Sequence, residues 1–211
     1  DIPYLPDGAE HSAHRLDVLA PRLPGDYPVY LYVHGGGWTS GDKEQVRTYC
    51  ATQAQSGAVV VNANYRLAVG GVNFADMLTD VYAALAWTQQ HIGAWGGDPE
   101  RLVLGGDSAG AQLSSLAVST HTHPELAEYW EVTPAPALAH VRGVVQHCSA
   151  ADASELLSSR SPMSQGFLRR LLKTRTDGRR LDEYARFLSP ADWLHGGFPR
   201  TFVSTSERDF L

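Results

Sequence analysis

The stretch Gly106-Asp107-Ser108-Ala109-Gly110 limits what this chain can fold into more than any other. An apolar run, Arg101-Leu102-Val103-Leu104, stands before it, and Ala111 to Val118 follows with the composition of a helix. The pattern predicts a buried strand that ends in a tight turn and feeds directly into a helix, with Ser108 at the turn. Such a turn strains the serine backbone, so its neighbours must be small. The helix then points its positive end at the serine, where developing negative charge would be favoured. A glycine-rich loop with a chance serine is the competing reading, and the strand and helix flanks argue against it.

A second stretch, His34-Gly35-Gly36-Gly37-Trp38, follows another strand-like run, Pro28 to Val33. Three successive glycines let the backbone pass close to a ligand and turn its N–H groups toward one point. Acyl transfer needs donors of that kind, aimed at charge that develops on a carbonyl oxygen. A flexible turn would not require both a flanking His and a flanking Trp.

Together these residues resemble the α/β-hydrolase fold, and within it the bacterial esterase/lipase group related to hormone-sensitive lipase. Gly41-Asp42-Lys43, Asn64-Tyr65-Arg66-Leu67-Ala68, Gly97-Asp98-Pro99-Glu100-Arg101, Ser189-Pro190 and Glu207-Arg208-Asp209 extend the resemblance from about Leu16 to the end. The resemblance implies an α/β fold with a mostly parallel central sheet and helices on both faces. It implies two-step ester hydrolysis, with Ser108 as nucleophile and Gly36, Gly37 and Ala109 donating N–H bonds to the oxyanion. Trp38 and Asp107 are expected to border the substrate pocket, and Asp107, next to the serine, cannot easily turn back to orient a base. For the acid of a triad the resemblance favours Asp209, with Asp152 as the alternative. It implies no cofactor and no metal.

The histidine of such a triad is the gap. In this fold the chain order is serine, acid, histidine. All nine histidines precede Asp209. His34 belongs to the glycine loop, His147 ends a strand but stands in the wrong order, and His195 lies in the loop before the last strand. His11, His14, His91 and His140 read as surface or sheet-edge residues. The expectation is therefore a chain incomplete at its C-terminus, lacking a helix, a last strand and a His-bearing loop of roughly 30 to 60 residues. The chain alone is then expected to hydrolyse esters weakly, while the parent protein is an esterase for short or medium acyl chains. An aryl-formamide hydrolase and a non-catalytic ligand-binding protein on the same scaffold are the alternatives.

The bulk numbers fit one domain over residues 1–211. The chain is 43% apolar, enough for one sizeable core. A net charge of −6 argues against nucleic acid as a partner. No apolar stretch reaches the roughly 18 residues of a membrane span. The expected partner is a small ester, with a homodimer left open. The chain begins at Asp1, so the lack of a signal peptide says little about compartment, and the cytoplasm is only slightly favoured. Cys50 and Cys148 are too few for a disulfide framework and read as buried thiols.

Local signals place the remaining elements. Arg15 to Leu19 alternates as an early edge strand. Asp42 caps a helix to about Gln55, with Gln45 three places on and Gly57 ending it. Ala58 to Val61 suits a strand buried on both faces. Asn73 caps a helix whose apolar stripe is Phe74, Met77, Leu78, Val81 and Leu85. Residues 121–138 read as irregular, and their His-x-His as loop composition rather than a metal site. Val141 to His147 and Thr201 to Ser204 read as strands. The arginine-rich residues 153–187 read as a small helical cap, with a solvated helical face as the other reading.

Overall fold

The alternation along Tyr27–Val33 sets the layering. Val29, Leu31 and Val33 point into one core, while Tyr30 and Tyr32 point into another on the opposite face. A strand that buries both faces needs helices above and below it. The computed structural model, which describes residues 1–6, 11–154, 166, 171 and 181–207, has that arrangement. Its strands are β1 (Ile2–Pro3), β2 (Arg15–Leu19), β3 (Tyr27–Val33), β4 (Val59–Ala63), β5 (Gly97–Asp107), β6 (Val141–His147) and β7 (Arg200–Ser204). They form one sheet in the order β1-β2-β4-β3-β5-β6-β7. From β4 to β7 every neighbouring pair is parallel, and β1 and β2 join antiparallel.

Helix α1 (Lys43–Gln55) covers one face through Cys50 and Ala54. Helices α2 (Phe74–His91) and α3 (Ser108–Thr122) belong to the larger core on the other. The predicted stripe of α2 is fully or almost fully buried at all five positions. Asn73 caps α2 by accepting from the Ala75 and Asp76 N–H groups, and the Asp76 carboxylate returns a bond to the Asn73 N–H. Asp42 caps α1 by accepting from Glu44, so Gln45 takes no part in a reciprocal cap.

Three expectations are corrected here. Residues 121–138 are not irregular, because α3 runs to Thr122 and a further helix, α4 (Pro124–Trp130), follows. Pro124 opens α4 at a position where its missing N–H costs nothing, and Leu126 and Trp130 are buried one turn apart. His14 is buried rather than superficial, 3.3 Å from the Asp80 carboxylate. Cys148 is half-buried, whereas Cys50 is enclosed and its thiol is pushed up to about 12 by burial. Most of the expected cap at 153–187 lies outside the described residues. Its last part is α5 (Leu181–Leu188), whose Tyr184, Ala185 and Leu188 are buried.

Candidate active site

The two glycine stretches meet because their strands are neighbours. Val33 at the end of β3 pairs with Gly106 near the end of β5. In a parallel sheet both chains leave on the same edge, so the glycine loop and the Ser108 turn emerge side by side. The fit is close. A Cβ on Gly106 or on Gly110 would overlap the Val33 carbonyl oxygen, and one on Gly110 would also press on that of His34. Only glycine lets α3 start this close to the end of β3.

Ser108 sits at φ 49°, in the left-handed region that L-residues avoid. It is the first residue of α3, and the Asp107 side chain does not cap that helix. The first N–H groups of α3 are therefore left for another acceptor. Ser108 is half-buried, and among the described residues its Oγ has no hydrogen-bond partner. Gly36 at φ 125° and Gly37 at φ 58° carry the loop past it. Among the described residues neither glycine N–H is taken by an acceptor.

Several side chains hold this loop. Asp107 Oδ1 accepts from the Gly35 N–H and from the Tyr32 hydroxyl, both at 2.9 Å. The Tyr65 hydroxyl donates to the His34 carbonyl at 3.1 Å, and its ring stacks on the His34 imidazole at 4.6 Å. Trp38, at φ 61°, donates its indole N–H to Gln112 Oε1 at 2.8 Å. At 3% exposure Trp38 is packed into the core beside the loop. Asp107 is likewise engaged in holding Gly35. Tyr65 lies in the Asn64 to Ala68 stretch of the family resemblance, whereas neither Tyr32 nor Gln112 was singled out in the sequence. Gln112 does stand one helical turn after Ser108, so the spacing could have flagged it.

All nine histidines lie within the described residues, and none bonds Ser108. His34 is buried with Nδ1 2.7 Å from the Gly35 carbonyl oxygen, and burial holds its pKa below the usual value. His147 places Nε2 2.8 Å from the Tyr49 hydroxyl and Nδ1 2.6 Å from Ser204 Oγ. Burial lowers its pKa against the pull of the nearby Asp107. His195 contacts Thr122, and His123 contacts the Trp193 carbonyl. Of the two acid candidates, Asp209 lies outside the described residues. Asp152 is exposed and accepts from the Ser154 hydroxyl and N–H, which hold its carboxyl below the usual range. Among the described residues no group of three or more His, Cys, Asp or Glu can hold a metal ion. No described helix is long and apolar enough to cross a membrane.

A family model described as alpha/beta hydrolase fold matches residues 30–211. The chain belongs to this α/β-hydrolase family. Among curated relatives, the probable carboxylic ester hydrolase LipM of Mycobacterium tuberculosis is 31% identical, over 100% of this chain and 48% of its own length. Esterase LipQ of the same organism is also 31% identical, over 99% of this chain and 48% of its own. The chain thus spans about half the length of these relatives. Among solved structures, esterase B from Lactobacillus rhamnosis superposes with a TM-score of 0.81 at 25% identity, covering 96% of this chain and 64% of that one.

Proposed function

We propose that the protein is a serine carboxylic-ester hydrolase for short or medium acyl chains. One observation carries the reading. Ser108 is held at φ 49° on the uncapped start of α3, beside a glycine loop whose Gly36 and Gly37 N–H groups have no acceptor among the described residues. In this mechanism Ser108 Oγ attacks the ester carbonyl as a base removes its proton. The C=O π bond opens to a tetrahedral oxyanion that Gly36, Gly37 and Ala109 N–H groups stabilise. Collapse expels the alcohol, which takes the proton from the base, and leaves an acyl-Ser108 ester. Water attacks that ester by the same route and releases the acid. The ester-hydrolase names of LipM, LipQ and esterase B support this chemistry.

In this reading the base is a histidine, and among the described residues no histidine bonds Ser108. Asp209 orients it in this reading, with Asp152 the alternative. The 211-residue chain alone is then expected to turn over esters weakly, since the oxyanion hole retains part of the rate without a full triad. The same missing contact favours one other reading, a non-catalytic ligand-binding protein on this scaffold. Hydrolysis of p-nitrophenyl acetate by the full-length protein and by its Ser108→Ala variant separates them. Turnover that depends on Ser108 supports the esterase. A folded full-length protein inert toward acetyl, butyryl and formamide substrates supports the binding protein.

A further inference from the structure

We infer that Gln112 is a positioning residue that ties the glycine loop to the C-terminus of α5. The inference rests on the esterase reading of the site and goes beyond it to a residue outside both motifs. Gln112 is fully buried, and both ends of its amide are used. Its Oε1 accepts the Trp38 indole N–H at 2.8 Å. Its Nε2 donates to the Leu188 carbonyl at 2.6 Å. The amide can satisfy both partners in only one orientation, because one needs an acceptor and the other a donor.

The three connected pieces matter for the reaction. Gln112 stands four residues after Ser108 on α3, so its Cα lies one turn along the helix from the nucleophile. Trp38 ends the glycine run and adopts φ 61°, a conformation that its neighbours must impose. Leu188 is the last residue of α5, where helix carbonyls lack internal partners. Two neighbouring carbonyls of that turn are also capped from outside, Arg186 by the Trp193 indole and Phe187 by the Trp130 indole. The α5 end is therefore a fixed point, and Gln112 transmits its position to Trp38. Asp107 holds the loop at Gly35, and Gln112 holds it at Trp38. The two glycines that would donate to the oxyanion lie between these anchors.

The test uses the full-length protein with Gln112→Met, which fills the space and removes both bonds, and Trp38→Phe, which removes the N–H. Displacing an oxyanion donor without deleting it should lower kcat about 10-fold or more, against the roughly 100- to 1000-fold of outright donor loss. The expected result for Gln112→Met is that fall in kcat with KM within about two-fold, since the loop contributes in the transition state. Trp38→Phe should show a smaller fall of the same kind, and the double variant should be no worse than Gln112→Met. Faster amide hydrogen exchange at Ser40 and Ala68, whose N–H groups donate to the Gly36 and Trp38 carbonyls, should accompany it in Gln112→Met. A folded Gln112→Met with wild-type kcat and unchanged exchange overturns the inference. If that variant does not fold, a folded Trp38→Phe with unchanged kcat does the same. Failure of the esterase reading shows itself separately, as a wild-type protein without Ser108-dependent turnover. In that case the exchange at Ser40 and Ala68 alone decides whether Gln112 positions the loop.

Discussion

Asp107 and Gly35 stand 72 residues apart in sequence and are joined by a 2.9 Å hydrogen bond. The bond runs from the glycine N–H to a carboxylate that also accepts from Tyr32. It locks the loop after β3 onto the turn after β5, so Ser108 and the glycine N–H groups keep one relative position. The residue just before the nucleophile thus acts on the loop and leaves the base to another group.

Asp107→Ala leaves the Gly35 N–H and the Tyr32 hydroxyl without their acceptor. An unsatisfied buried group costs about 1–3 kcal/mol, so stability should fall by that order. kcat should fall with it, by about 10-fold or more, as the loop loses its anchor. Asp107→Asn retains Oδ1 as an acceptor and should lose far less of both. Chemical denaturation and steady-state kinetics on the two variants check this. Equal losses in both would mean that the charge, and not the hydrogen bond, matters.

Gly110→Ala tests the close approach of α3 to β3. The added Cβ would overlap two backbone carbonyl oxygens, which cannot rotate away as a side chain can. Overpacking of this kind costs about 1–3 kcal/mol, and here the helix that carries Ser108 must shift. The variant should be less stable and almost inactive. Thermal unfolding and ester turnover give both readings, and a variant of wild-type stability would show that the packing at Val33 is looser than described.

Buried His34 and half-buried His147 give the fold a pH dependence with a definite sign. Burial holds His34 and His147 below the usual value of 6.5. As pH falls through 6.5, the unfolded chain takes up protons that the folded chain refuses. Stability should therefore be full above that pH and decline below it. Asp17 and Asp152, held below 3.8, add their losses only at lower pH. Melting temperatures between pH 8 and 5 measure the effect, and His147→Gln should flatten the slope. A melting temperature that stays level or rises toward pH 5 contradicts this account.

What the sequence made legible was local. The Val29 to Val33 and Leu102 to Leu104 runs, the two glycine stretches and the Asn73 cap carry their structural reasons within a few residues. Asn73→Ala should accordingly cost about 1 kcal/mol in thermal or denaturant unfolding, the ordinary loss for a helix cap. What the sequence hid was tertiary. His14 is buried by Tyr4 and by Asp80, which comes from a distant helix. The Trp38 indole bonds Gln112, 74 residues away in sequence. Helix α4 looked like a loop because its proline and short length mask the Leu126–Trp130 pair. Asp209, the residue proposed as the acid, lies outside the described residues.

The most direct test of the central claim is to trap the acyl-enzyme stage. The full-length protein is treated with a fluorophosphonate ester, digested, and its peptides are weighed by mass spectrometry. The account predicts one phosphonyl adduct on the peptide that carries Ser108, with parallel loss of ester turnover and no adduct in Ser108→Ala. Turnover that persists while Ser108 is fully modified, or inactivation with the adduct on another residue, would contradict it.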